Sequence, residues 1–164
     1  MLGALVDLAE HGGISRALLY RHFPSKRDLF AAIYQQAADN LLAQSTVVGS
    51  EPIADQVVAG LDAHIDYFVA NRNTVLAANR TLAGDPVIAA IIEGELDELR
   101  NRMLAAIGLE DPARQMMSSV LMSWLVFVRV LSVEWLTNES FSRTQLRDTC
   151  VGALFGALGA TPTE

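Results

Sequence analysis

Apolar residues recur at helical spacing along this chain, strand-like alternation is absent, and the breaks fall at Gly, Pro or Asx clusters. That combination leaves little room for any fold class but all-α. Apolar residues make up 51% of the 164 positions and charged residues 19%, enough to bury a real core and too apolar for a disordered chain.

The breaks set out the expected helices. Leu5 to His11 reads as a short amphipathic helix ended by Gly12-Gly13. Ser15 caps a second short helix through Phe23, its hydroxyl placed to accept from a free first-turn N–H. Pro24-Ser25 breaks the chain again, and Ser25 with Asp28 three residues on forms a capping box. The helix it opens runs to about Gln44, with Leu29, Phe30, Ile33, Tyr34, Ala37 and Leu41 on one face. Ser50-Glu51-Pro52 opens the next, to about Asn71, with Val57, Val58, Leu61, Ile65 and Phe68 as its stripe. A shorter one covers Asn73 to Leu82. Another runs from Asp85-Pro86 to Ile107-Gly108, with proline in its first turn. Asp111-Pro112 starts the longest, to about Thr137, and Ser142 caps the last, through about Leu158.

Charge is distributed unevenly along the chain. Residues 1–30 carry four cations (Arg16, Arg21, Lys26, Arg27) and three acids, whereas residues 31–164 carry eight cations and sixteen acids, within a net charge of -7. A basic island in an acidic chain suits a compact phosphate-contacting surface. Two short helices joined by a tight glycine turn, the second rich in cations, also follow the helix-turn-helix pattern. Ser15 and the start of that second helix offer free N–H groups and a positive dipole end for a phosphate. Arg16 and Arg21 carry planar forks suited to guanine O6 and N7. Tyr20 and His22 can donate to phosphate oxygens, and Lys26 stands at the next helix start as a mobile charge.

The run Asp7-Leu8-Ala9-Glu10-His11-Gly12-Gly13-Ile14-Ser15, followed by Leu19-Tyr20-Arg21-His22-Phe23-Pro24-Ser25-Lys26-Arg27-Asp28-Leu29, resembles the DNA-binding signature of TetR-type transcriptional regulators. The resemblance implies an N-terminal helix-turn-helix DNA-binding domain over residues 1–44, connecting helix included, and a helical ligand-binding and dimerisation domain over 45–164. It implies that the second short helix reads DNA, with Ser15, Arg16, Ala17, Tyr20, Arg21, His22 and Lys26 as the DNA-binding residues. Two departures stand out. Leu18 replaces the usual hydroxyl residue and is expected to pack. Only Met1 to Ala4 precede the first short helix, where the family has a longer one: either further residues precede these, or Met1 to Gly12 is the end of that helix.

For the body, the resemblance implies a homodimer, a double-stranded DNA operator and a small lipophilic effector, with no cofactor. A dimer face is expected on the last two helices, at Val120, Leu121, Val128, Leu131 and Trp135, and at Val151, Leu154, Phe155 and Leu158. The small residues Gly152, Ala153, Gly156 and Ala157 would let helices approach closely. The same residues could equally fill the core of one chain. An effector pocket between body helices is expected to draw on Tyr67, Phe68, Met103, Met122, Trp124 and Phe127, with His64, Asn79 or Arg80 as polar anchor.

Other classes are disfavoured. There is no Gly-rich phosphate loop, GxSxG elbow or HExxH, so catalysis is not expected. Asp62, His64 and Asp66 are metal-capable, but their i,i+2 spacing turns neighbours to different helix faces. Glu93, Glu95, Asp97, Glu98, Arg100 and Arg102 read as a solvated face, with Glu98 and Arg102 at ion-pair spacing. Met116 to Leu136 is the most membrane-like stretch, yet it holds Arg129 and Glu134, so a core or intersubunit helix is expected. No charged-then-apolar leader opens the chain and its one cysteine, Cys150, lies in an apolar pattern, so a cytoplasmic protein with a buried thiol is expected. The competing reading is a helical carrier or interaction domain that does not bind DNA.

Overall fold

A computed structural model describes residues 21–44 and 52–159. Among them every regular element is helical: α1 (Lys26–Gln44), α2 (Ile53–Ala70), α3 (Arg72–Leu76, continued by a π turn over Ala77–Thr81), α4 (Pro86–Ile107), α5 (Ala113–Asn138) and α6 (Arg143–Ala157). The boundaries follow the expected breaks within a residue or two.

Local chemistry explains most of these ends. The Ser25 hydroxyl accepts from the Asp28 backbone N–H at 3.2 Å and donates to its carboxylate at 2.7 Å, which starts α1. Asp85 caps α4 by accepting from the N–H groups of Val87 (2.9 Å) and Ile88 (3.2 Å), and Pro86 takes the first-turn position where no N–H is needed. Gly108 ends α4 in the left-handed region, at φ 69°, where a glycine meets no Cβ penalty. Ser142 and Gln145 form a reciprocal capping box at α6, through bonds of 3.1 and 2.8 Å.

Helix α5 is the central element, packed against α4, α6, α2 and α3. The main core joins Leu61 and Ile65 of α2, Leu96 and Leu104 of α4, Leu121, Trp124, Leu125 and Val128 of α5, and Leu146, Cys150 and Leu154 of α6. Within it the Trp124 indole N–H donates to the Cys150 carbonyl at 2.8 Å. Cys150 is a free, buried thiol, and burial pushes it up to about 11, which leaves it unreactive. By length and composition α5 is apolar enough to cross a membrane. In this fold it is built into the core, with Arg129 and Ser132 buried alongside its apolar side chains.

A second cluster docks α1. Phe30 and Tyr34 stack at 6.1 Å and pack on Ala78 of the π turn and Ile88 of α4. The helix following the basic island is thus held by the body's own residues. A third cluster, Phe68, Val75, Val133 and Leu136, closes α2 and α3 over the far half of α5.

Candidate functional site

Three features form one assembly: the start of α1, a buried polar network beneath it, and a cavity beside that network. Arg21 and His22 lie in a helical turn, exposed, and Lys26 is exposed at the first position of α1. Ser15, Arg16, Ala17 and Tyr20 lie outside the described residues. Arg27, the fourth cation of the island, faces the body. Its Nε and Nη2 both bond the Asp85 carboxylate, the Nη2 contact at 2.9 Å. The guanidinium holds that carboxyl below its ordinary range, helped by the capping N–H groups of Ile88 and Val87. One aspartate therefore caps α4 and anchors α1.

Seven residues further along α1 lies a second anchor. Tyr34 accepts a hydrogen bond from Arg129 Nη2. Arg129 also donates from Nε to Asn79 Oδ1 at 2.9 Å and from Nη1 to Glu95 at 3.2 Å, with its guanidinium carbon 5.8 Å from the Phe68 ring centre. Glu95 is 4% exposed and the Arg129 side chain 7%. Burial pushes the Glu95 carboxyl above its ordinary value, and the charge and hydrogen bond of Arg129 pull it back. The Tyr34 hydroxyl is likewise raised by burial and opposed by Arg129, so it stays protonated. Asn79 sits in the π turn, its amide donating to the Val75 carbonyl at 2.8 Å, a geometry that presents its oxygen to Arg129. Four helical segments thus converge on one buried guanidinium.

Glu95 and Arg129 also form part of the wall of a cavity of about 750 Å³ between α2, α4, α5 and α6. Its surface is mainly apolar, from Leu61, Leu96, Leu99, Met103, Leu121, Trp124 and Val128. His64 lies on the wall with its ring 4.0 Å from that of Phe68, and its Nε2 is buried without a hydrogen-bond partner. Burial first, and the Arg129 charge second, lower its pKa to about 3, so the imidazole is neutral.

The residues expected to line a pocket therefore separate. His64, Met103 and Trp124 line the cavity. Tyr67 and Phe68 pack in the third cluster, and Met122 packs against the main core. Arg80 is on the surface, bound to Glu134 at 2.9 Å. Phe127 points outward, into a shallow groove of about 380 Å³ with Ser119, Val120, Ser123, Trp124, Ala153 and Ala157.

The expected dimer face divides in the same way. Leu121, Val128 and Leu154 are buried inside the chain, because their phase on α5 and α6 points at α2 and α4. Leu131, Trp135 and Val151 pack against that core, while Phe155 and Leu158 border the cavity. The large apolar side chains left outside on α5 are Met116 (74% exposed) in its first turn and, further along, Val126 (43%), Phe127 (39%) and Val130 (63%), the last three on the helix that packs with α6 and its open Gly152, Ala153, Gly156 and Ala157.

Glu95 and Arg129 were missed as partners. Glu95 belongs to no solvated face, unlike Glu98, which pairs with Arg102 at 2.7 Å as its spacing suggests. The available signal was register: Glu95 falls on the stripe of Ile88, Ile92 and Leu96, and Arg129 on that of Leu125 and Val133. Asp62 and Asp66, set one turn apart, hold Arg143 of α6 at 3.1 and 2.8 Å while His64 turns inward. Among the described residues no group of side chains could hold a metal ion.

Comparison with known proteins agrees with this architecture. Residues 4–33 match the family model described as bacterial regulatory proteins, tetR family. Nucleoid occlusion factor SlmA of Shewanella amazonensis is 32% identical over 101 residues, 62% of this chain and 48% of that protein. The protein of that name from Marinobacter nauticus is 34% identical over 95 residues, 58% of this chain and 45% of the relative. The chain spans about half the length of these curated relatives. A tetR-family transcriptional regulator from Streptomyces coelicolor superposes with a TM-score of 0.79 at 22% identity, over 92% of this chain and 68% of that one. Fold and N-terminal match together give a helical body behind a segment similar to that of tetR-family regulatory proteins. Over residues 4–33 the chain is thus similar to the tetR family, and its fold is that of the Streptomyces coelicolor protein.

Proposed function

We propose that this chain is a cytoplasmic, DNA-binding transcriptional repressor that acts as a homodimer on a palindromic operator and is released by a small lipophilic effector held in its body. The observation that carries the reading is the continuity of parts: the helix leaving the basic island is bonded, through Tyr34, to an arginine on the wall of an apolar cavity. Ser15, Arg16, Ala17, Tyr20, Arg21, His22 and Lys26 would contact DNA, the arginines reaching bases and the rest phosphates. A guest that alters the packing around Arg129 changes what holds α1, and with it the spacing of two reader helices. It can do so only by binding the two spacings unequally.

The dimer face in this reading is the outer side of α5 and α6, through Val120, Phe127 and Val130 and the small residues opposite them, in place of the buried leucines expected earlier. Two readers joined at a half-site spacing of about 34 Å, or a multiple of it, bind far better than one.

The test uses the full chain. Arg16→Ala and Tyr20→Ala should each abolish DNA binding in a low-salt shift assay while the circular dichroism melt is unchanged. Wild-type affinity should fall steeply with salt as phosphate neutralisation requires. Unchanged affinity in both variants, or a flat salt response, would reject DNA reading by this segment and favour a helical carrier. The name of the curated relatives supports a second reading, a DNA-bound factor in nucleoid occlusion. Discharge of the chain from DNA by a small lipophile would favour the first.

A further inference from the structure

The cavity wall limits the charge a guest can carry. Among the described residues, Asp55, Glu95, Arg102 and Arg129 are its charged side chains, two of each sign. Glu95 and Arg129 neutralise each other at 3.2 Å, and the Nε and Nη2 of Arg129 donate to Asn79 and Tyr34. Arg102 is bound to Glu98 and to the Leu42 carbonyl. Asp55 is exposed, where water screens it. A carboxylate entering this space finds each arginine already paired, and an ammonium finds Glu95 paired too. A buried charge without its own counter-charge is strongly disfavoured.

His64 offers the complementary opportunity. Its Nε2 lacks a partner, and a neutral imidazole has one donor and one acceptor nitrogen. A hydroxyl can meet Nε2 in either tautomer, as donor or as acceptor, whereas a carboxylate can only accept and an ammonium only donate.

We infer that the body cavity selects an uncharged lipophile bearing a hydroxyl or similar single hydrogen-bonding group, with that group at His64 and its apolar part along Leu61, Leu96, Leu99, Met103, Leu121 and Trp124. The inference rests on the reading of the body as an effector sensor. Selection is by exclusion: the Arg129–Glu95 pair makes the polar end neutral, so recognition falls to shape and one hydrogen bond.

The experiment compares n-decanol, decanoate and decylamine, equal in chain length and different in charge, by native mass spectrometry and thermal shift on the full chain at pH 7.5. Decanol should bind at least tenfold more tightly than either charged probe. Glu95→Gln, which leaves Arg129 without its counter-charge, should raise decanoate affinity about tenfold and leave decylamine no tighter. His64→Leu should weaken decanol about tenfold while the protein stays folded by circular dichroism. Decanoate or decylamine binding as tightly as decanol overturns the charge selection. Decanol binding unaltered in His64→Leu overturns the anchor. Binding of none of the three probes to folded protein overturns the sensor reading beneath both. Should Glu95→Gln fail to fold, the three-probe comparison and His64→Leu still decide.

Discussion

Helix α1 is tied to the body at two places, and the two ties differ in kind. The outer one, Arg27 to Asp85, lies at the surface: when it opens Arg27, 43% exposed, meets water, and Asp85, 12% exposed, keeps its capping N–H groups, so its loss leaves little uncompensated. The inner one, Tyr34 to Arg129 and on to Glu95 and the half-buried Asn79, has its acid, guanidinium and phenol buried, so breaking a bond among those three strands a polar group. An exposed tie can slip and re-form. A buried tie has two sharply different states, satisfied or not, which suits a contact that registers a neighbouring cavity.

The largest effect should come from breaking the inner tie at its acid. Glu95→Leu leaves the Arg129 charge buried without its counter-ion, with an expected cost of about 3–5 kcal/mol in urea unfolding. Adding Arg129→Met should recover most of that loss, since a buried pair replaced by apolar residues is often neutral or stabilising. A double mutant as unstable as the single would show that Arg129 matters through Tyr34 and Asn79 rather than through its charge balance.

Next in size is a pH effect set by His64. Its native pKa of about 3 lies below the unfolded value of 6.5. Between those values the unfolded chain binds more protons, so the contribution is complete above pH 6.5 and is lost as pH falls toward 3. At pH 5 this alone removes about 2 kcal/mol. Glu95 has the opposite sign, its raised pKa favouring the native state as pH falls. Comparing unfolding curves of wild type and His64→Leu from pH 7.5 to 4.5 isolates the histidine, and the variant should lose less stability. Parallel curves would mean that His64 is solvated in the native state.

Tyr34→Phe tests the inner tie at its link to α1. It removes one hydroxyl and leaves the ring stacked beside Phe30, with an expected cost of about 1–2 kcal/mol because the lost bond involves a charged donor. If the tie couples cavity to head, this variant should also respond less to effector than its stability loss explains, measured as DNA affinity with and without decanol.

Much of this was legible in the chain, for a local reason. Helix ends are set by residues within one turn, so Ser25 with Asp28, Asp85-Pro86, Gly108 and Ser142 with Gln145 marked them directly. The stripe of α1 was clear because its opposite face, with Gln35, Gln36, Asp39 and Asn40, is polar. Helix α5 is apolar nearly all round, so its phase could not be read from itself, and Leu121 and Val128 were placed outside while Phe127 was placed inside. Pairings across long separations, such as Arg129 with Glu95 or Arg27 with Asp85, leave no local signature. The π turn that aims Asn79 is equally silent, since Asn73 to Leu82 reads as ordinary helix.

The smallest expected effect separates the two duties of Asp85. Arg27→Ala removes only an exposed ion pair and should cost less than about 1 kcal/mol, less still at high salt. Asp85→Ala removes that pair and also the cap on Val87 and Ile88, so it should cost about 1 kcal/mol more than Arg27→Ala, and that excess should persist in salt. Asp85→Asn keeps a capping oxygen and discards the charge, and should therefore resemble Arg27→Ala rather than Asp85→Ala. Urea unfolding of the three variants at two salt concentrations is sufficient. If Arg27→Ala proved as costly as Tyr34→Phe, the outer tie would be as rigid as the inner one, and α1 would have no compliant end about which to move.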